Sequence, residues 1–253
     1  MEERRFAAHT LNSGITKDIL VELMGQLNKR YVSGGIATQF FLPCELHRTT
    51  FDIDLDGPCS ETFAQYKDFV NSFSGLYNRG YNVSFAKQRG TLDAIFGRED
   101  QGMTLQVPRR AQAKFESEKH RLEGELSNSL LVPYAGDKLR VIHPNDISAR
   151  KIRRLKTFSE DYNLHLPIGI TAGSAFTKAL NLKGGLGLMN LDPESYARRI
   201  AEIRMYSDLT DVLALLSCSE SDVNGIRESI KNHALDQRDL AKIDEVFCRL
   251  AGV

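Results

Sequence analysis

The chain has no excess of either charge: 33 Lys and Arg balance 33 Asp and Glu over 253 residues. That excludes a global basic field for holding nucleic acid, so any contact with a phosphate backbone has to be local. The four cysteines, Cys44, Cys59, Cys218 and Cys248, fall at no metal-ligand spacing and form no C-x-x-C. Reduced thiols in a cytoplasmic protein are the expectation. There is no apolar run of about 18 residues, so no membrane span is expected. The opening "MEERRFAAHT" has basic residues but no apolar stretch behind them, which argues against a secretory signal. G-x-S-x-G, the Walker A loop, G-x-G-x-x-G and H-E-x-x-H are all missing, as are repeats and low-complexity segments. The six histidines include no i, i+4 pair and read as structural or surface groups. His47 alone lies beside a candidate motif.

What remains is ordinary globular material, 42% hydrophobic and 26% charged, long enough for one large domain or two modest ones. Its most informative stretch is "SGGIATQFFLPCELHRTTFDIDLDG", from Ser33 to Gly57. Phe51, Ile53 and Leu55 alternate with Asp52 and Asp54, which predicts a strand with one apolar and one acidic face. On that face the two carboxylates stand roughly 6–7 Å apart along the chain. Aspartate is disfavoured in strands, and like charges on one face repel. A divalent cation would justify the pair, because magnesium takes one or two carboxylates and leaves its other positions to water and phosphate. Two such ions roughly 4 Å apart clamp the oxygens of a phosphoryl or nucleotidyl transfer. The bland alternative is a solvated strand end running into the turn Asp56-Gly57-Pro58.

Ahead of that strand, Tyr31-Val32-Ser33 reads as a short strand and Ile36–Leu42 as a short helix with Ile36, Phe40 and Phe41 inward. A Gly-Gly between them lets backbone N–H groups approach a phosphate. This order resembles the polymerase-β-like nucleotidyltransferase superfamily. "GGIATQFF…HRTTFDIDL" is similar to the first motif of the AbiEii-type nucleotidyltransferase toxins, at Gly34, Gly35, Arg48, Thr50, Asp52, Asp54 and Leu55. The sequence departs from the pattern at Ile36, where that family has a hydroxyl for the triphosphate; Ser33 or Thr38 is the candidate replacement.

Along the rest of the chain, helices are predicted over Thr16–Arg30 and from a Ser60 cap to Tyr77. Strands are predicted around Tyr81–Phe85, Thr91–Phe96, Gly102–Val107 and Leu139–Ile142, while 109–130 is ambiguous. From His143 onward the pattern is helical, with loops at 163–174 and at the glycine-rich "KGGLG". The expected organisation is an α/β domain over 1–140 and a helical domain over 141–253 that completes the active site. The resemblance implies a nucleotidyltransferase core, a mixed β-sheet flanked by helices.

"SDLTDVLALL" matches the helix with which AbiEii-type toxins end their active site, at Asp208, Leu209, Asp211, Val212 and Leu215. Ser207 stands where that family has a basic residue, and Arg204 is the substitute. By itself the pair of acids is a favourable first-turn arrangement at about 0.3–1 kcal/mol each. "DISARKI" matches the family's lysine pattern at Lys151; Lys178 in "SAFTKAL" and Arg199 in "YARRIAEI" are the alternatives. Five basic residues crowd 150–156, and an RNA backbone accounts for Arg150, Arg153 and Arg154 better than a solvated face does. Arg109 and Arg110 are candidates to join that patch.

The resemblance therefore implies transfer of a nucleoside monophosphate from an NTP to an acceptor, for some members the 3′ end of tRNA, in a cytoplasmic toxin with a cognate antitoxin protein. Asp52 and Asp54 would hold Mg²⁺ or Mn²⁺. Gly34, Gly35, Arg48, Thr50 and Lys178 would contact nucleotide, Lys151 would offset its charge, and Asp211, with Asp208 beside it, would position the acceptor hydroxyl. Two alternatives stand beside it: transfer to a small molecule such as an antibiotic, and a binding module that kept the fold and lost the chemistry.

Overall fold

The computed structural model describes residues 9–99, 101–186 and 191–252; the opening "MEERRFAA" and Gly187 of the glycine-rich stretch lie outside them. The chain divides into two compact units, the first of residues 1–40 and 47–143 and the second of 41–46 and 144–253. The first is mixed α/β: α1 (Gly14–Leu23), β1 (Tyr31–Ser33), α2 (Gly34–Gln39), β2 (Asp52–Asp56), α3 (Phe63–Asn71), α4 (Ser74–Asn78), β3 (Asn82–Lys87), β4 (Thr91–Arg98), β5 (Gln101–Pro108), α5 (Gln112–Asn128), β6 (Leu130–Tyr134) and β7 (Asp137–Val141). The second is helical: α6 (Pro144–Tyr162), α7 (Ala172–Leu186), α8 (Pro193–Leu215), α9 (Val223–His233) and α10 (Gln237–Ala251).

Among the described residues the strands form one seven-stranded sheet in the order β3-β4-β5-β2-β1-β7-β6. It is mixed: β2 pairs parallel with β5 and β1 parallel with β7, and the other neighbours are antiparallel. β1 is three residues long and fully buried, next to the acidic strand β2. Ile53, Leu55, Ala94, Phe96 and Leu105 share one sheet face by register and are all buried. On that side Phe73 stacks on Phe96 at 6.3 Å, and the Tyr66 hydroxyl donates to the Leu105 carbonyl at 2.6 Å. Burial, with the charge of Asp93 adding to it, raises the Tyr66 pKa well above the ordinary phenol value.

Several local expectations give way. α1 stops at Leu23 rather than Arg30, because Gly25 follows with φ +78°, a left-handed conformation that ends a helix. The helix expected from Ser60 is two helices, and its cap is Thr62, whose hydroxyl and Gln65 form a capping box. Phe51 is 52% exposed, so the apolar face of the acidic strand begins at Ile53. The ambiguous 109–130 is the helix α5, and Leu130–Tyr134 is a strand that the sequence pattern did not reveal. α7 runs through Gly184 and Gly185 to Leu186, where a loop was expected; a Cβ added at either glycine would meet nothing within 4 Å, so the helix has no crowding there.

In the helical unit, α6 lies in the core, with Ala149, Ile152, Leu155 and Phe158 packed among Leu209, Val212, Ile226, Ile230, Ile243 and Phe247. Polar ties fix its rotation. Asn145 accepts from Ser221 and from the Asp222 N–H, both at 3.1 Å, at the N-cap of α9. Asp146 accepts from Ser229 on α9. Lys156 donates to Asp239 on α10 at 2.7 Å. Burial pushes the Asp239 carboxyl up, but hydrogen bonds from Lys156 and the Leu235 N–H and the charge of Lys156 outweigh it, holding the group below its ordinary value.

A carboxyl lowered by folding stabilises above its unfolded pKa of about 3.9, and that stabilisation disappears as pH falls through the lower folded value. Asp239→Asn is therefore expected to cost about 1.5–3 kcal/mol at neutral pH, the range of a hydrogen bond to a charged group. The gap from the unmutated protein should begin to narrow below roughly pH 4 and close once pH has fallen through the lower native value. Urea unfolding at a series of pH values measures both.

Candidate functional site

The glycine pair and the acidic strand meet because β1 and β2 are antiparallel neighbours, with Ser33 directly opposite Asp54. Gly34 follows with φ +67°, and a Cβ built on it would lie 1.8 Å from Asp54 Oδ2. The carboxylate thus occupies the space that any other residue's side chain would take. A Cβ on Gly35 would stand 3.5 Å from Arg48 Nη2 and 3.8 Å from Thr50 Oγ1, so those two groups line the second glycine. The Thr50 hydroxyl donates to Asp52 Oδ1. The loop carrying Arg48 is pinned from both sides: Gln39 Nε2 donates to the Arg48 carbonyl, its Oε1 accepts from the Leu11 N–H, each at 2.8 Å, and His9 pairs with Thr50 as an isolated bridge. Six of the seven residues of the first motif, Gly34, Gly35, Arg48, Thr50, Asp52 and Asp54, therefore share one locality of the first unit.

The hydroxyl expected to replace the one missing at Ile36 is not offered. Thr38 is 1% exposed and donates to the Gly34 carbonyl at 2.8 Å, inside the turn of α2. Ser33 is 3% exposed, with its hydroxyl 3.5 Å from the Asp54 carbonyl oxygen. Ile36 itself is fully buried.

One residue of this face was missed. Asp93 on β4 is opposite Gln106 on β5, and Gln106 is opposite Asp54, so the three side chains project from one sheet face. Asp93 is 1% exposed, and neither carboxylate oxygen has a hydrogen-bond partner among the described residues. A buried carboxylate without partners is costly. The signal was present in "TLDAIFG", an aspartate inside an apolar strand pattern, but only the pairing register aligns it with Asp54.

Among the described residues no three His, Cys, Asp or Glu side chains converge to hold a metal ion by themselves. The half-buried carboxylates of β2 nevertheless fit a hard cation that keeps water or phosphate oxygens in its remaining positions. The close backbone at Gly34 and the unbonded Asp93 on the same face fit it as well.

The second unit holds its own charged cluster. Lys151 on α6 is 3% exposed; its Nζ donates to Asp211 Oδ2 at 2.6 Å and to Asp208 Oδ1 at 3.3 Å on α8. Arg154 grips Asp208 with both Nε, at 2.7 Å, and Nη2, at 2.5 Å. The spacing "DISARKI…SDLTD" thus joins Lys151 to both acids. Of the other candidates, Lys178 is on an exposed position of α7, and Arg199 pairs with Glu202 at 2.8 Å. The basic run 150–156 is less open than its composition suggests: Lys151, Arg154 and Lys156 are engaged with acids of the same unit. Arg110, expected beside it, belongs to the first unit and pairs with Asp56 at 2.8 Å.

No family model matches the chain, and no curated protein matches it. Among solved structures the chain is similar to an antigenic nucleotidyltransferase-like protein from Paracoccidioides brasiliensis, at 12% identity and a TM-score of 0.47, over 92% of this chain and 91% of that one. Similarity at that level carries no argument about this chain, whose reading rests on its own residues. No helix among the described residues is long and apolar enough to cross a membrane.

Gly34→Ala is expected to destabilise the protein by more than Gly25→Ala. Both glycines are left-handed, which costs a residue with a Cβ about 1–2 kcal/mol. Only at Gly34 does the added carbon also displace a carboxylate, since nothing lies within 4 Å at Gly25. Equilibrium denaturation of the two variants checks the order.

Proposed function

We propose that the protein is a metal-dependent nucleotidyltransferase. The observation that carries this is the approach of the Gly34 backbone to the Asp54 carboxylate, with Asp52 on the same strand face and Arg48 and Thr50 lining Gly35. Asp52 and Asp54 would hold Mg²⁺ or Mn²⁺, and Asp93, which projects from the same sheet face, is the candidate third carboxylate. A divalent cation there supplies charge neutralisation at the transferred phosphate. The chain's own groups do the rest. The glycine backbone admits phosphate oxygens close to the carboxylates, the Thr50 hydroxyl fixes the Asp52 rotamer, and Arg48 adds a fixed cation. In this reading Lys151 offsets triphosphate charge and Asp211 holds the acceptor hydroxyl, with Lys178 a further nucleotide contact.

More narrowly, we propose the AbiEii type: a toxin that adds a nucleotide to RNA, with the 3′ end of tRNA as acceptor and a cognate antitoxin protein as partner. The motif matches at Gly34–Asp54, Lys151 and Asp208–Asp211 support it. Each labelled NTP incubated with the protein, Mg²⁺ and an RNA pool tests it; absence of label in RNA for all four NTPs overturns it. Label in a small acceptor instead marks transfer to a small molecule.

A second reading is favoured by one observation. Lys151, Asp208 and Asp211 are buried and bond to one another, with the exposed Arg154 closing over Asp208, as in a purely structural ion-pair cluster. A binding module without chemistry would then remain, and calorimetry with Mg²⁺ and each NTP would register no heat of binding.

Two outcomes are expected. Asp54→Asn removes one of two like charges on a strand face, so the metal-free protein should melt at the same temperature or slightly higher. Its transfer activity should fall by orders of magnitude, and Mg²⁺ with NTP should no longer raise its melting temperature, since ligand stabilisation follows affinity. Lower metal-free stability with an intact ligand shift would contradict the metal role. For RNA, Arg150→Ala with Arg153→Ala should flatten the salt dependence of binding by roughly 0.7–0.9 log units per lost phosphate contact. Filter binding across a salt series reads that slope, and NTP binding should barely change. Arg154 is left in place because it holds Asp208 through two hydrogen bonds, so its loss would also disturb the helical unit.

A further inference from the structure

A chain of charged groups runs from one side of the β1–β2 ladder to the other. The Tyr31 hydroxyl on β1 donates to Glu125 Oε2 at 2.5 Å. Arg121 joins Glu125 Oε1, at 2.8 Å, to Glu118, at 3.3 Å. Arg110 then joins Glu118, at 2.7 Å, to Asp56 on β2, at 2.8 Å. Asp56 is the register partner of Tyr31, so the circuit closes on the strand pair where it began. Its side chains are largely out of solvent: Glu125 is 2% exposed, Asp56 4% and Arg110 8%. Burial works against the Arg110 charge, but Asp56 and Glu118 outweigh it and hold the guanidinium above its ordinary value.

The helix that supplies half of these groups, Glu118, Arg121 and Glu125, has little else to hold it. Of the 17 residues of α5, only Phe115, Leu122 and Glu125 are buried, so its seat depends on polar contacts more than on an apolar stripe. Those contacts end on Tyr31 and Asp56. Two residues further on, toward the candidate site, Ser33 and Asp54 are the next pair on the same face of the ladder, and Gly34 follows. β1 has only three residues with which to hold its register. A shift of β1 against β2 would change the separation of the Gly34 backbone and the Asp54 carboxylate, which now fill one another's space.

We infer that α5 is a positioning element for the Gly34–Asp54 pair, with Glu125 and Arg110 clamping the β1–β2 register one pair further along the same face. Neither residue touches the proposed metal or nucleotide; both act through the strands. The ladder part of this inference stands on geometry alone, and its consequence for ligand binding rests on the reading of Asp52 and Asp54 as metal ligands.

The test uses the full chain with Tyr31→Phe, Arg110→Met, Arg110→Lys and, as a control on the exposed side of α5, Glu116→Ala. Two quantities are read: hydrogen exchange of the backbone amides at 31–33 and 54–56, and the rise in melting temperature given by Mg²⁺ with an equimolar mixture of the four NTPs. Tyr31→Phe and Arg110→Met should accelerate exchange at those amides about tenfold and at least halve the ligand-induced rise. Arg110→Lys should recover part of both, and Glu116→Ala should alter neither. A simple loss of stability lowers the melts with and without ligand together and leaves their difference, which follows affinity. Tyr31→Phe removes one hydroxyl and keeps the ring, so it remains informative if Arg110→Met fails to fold. Unchanged exchange in Tyr31→Phe overturns the clamp, and accelerated exchange with an unchanged ligand rise overturns its link to the site. No ligand rise in the unmutated protein defeats the metal reading instead, and the exchange data then decide the clamp alone.

Discussion

Two strands hold the arrangement of the first unit. β1 contributes three residues and β2 five, and they are adjacent strands inside the seven-stranded sheet. Their antiparallel register sets Ser33 against Asp54, and the glycine that follows has to adopt a left-handed backbone with no side chain, because the carboxylate already fills that volume. A one-residue slip would exchange the buried Ile53 and Leu55 for Asp52 and Asp54, so the hydrophobic face enforces the geometry of the acidic face. The surrounding hydrogen bonds of Gln39, His9 and Thr50 fix the loop that brings Arg48 to the same place.

The helical unit solves a different problem. α6 carries basic residues through an apolar core, which is tolerable only where each buried charge meets an opposite one. Lys151 meets Asp211 and Asp208, and Lys156 meets Asp239. These pairs set which face of α6 looks at α8 and which at α10. The cluster of Lys151 with Asp211 and Asp208 is thus a structural tie between α6 and α8. The asymmetry between the units matters here. The first unit's acidic face includes Asp93, a carboxylate with no hydrogen-bond partner among the described residues, whereas Asp208 and Asp211 of the second unit are met by cations.

Legibility followed the range of the interaction. The DIDLD strand was readable because alternation is a property of adjacent residues, and the strands from Thr91 and Gly102 were readable for the same reason. Helix ends were read less well. Gly25 stops α1 through its backbone conformation, which composition does not reveal, and Thr62 rather than Ser60 is the cap because the box is completed by Gln65. β6 was not read as a strand; its "LLVPY" carries a proline, which at a sheet edge costs no internal ladder bond. The hydroxyls of Ser33 and Thr38 looked available because sequence gives no burial.

The sequence by itself determined the acidic strand, the glycine pair before it, and the spacing that puts Asp208 and Asp211 on one helix face. Each is a local pattern whose period the backbone dictates. Only the tertiary structure decided that Asp93 joins Asp54 across two strand pairings, that Lys151 meets both α8 acids, and that Arg110 pairs with Asp56. Those are contacts between residues dozens of positions apart, set by sheet order and helix packing, and no window along the chain contains both partners.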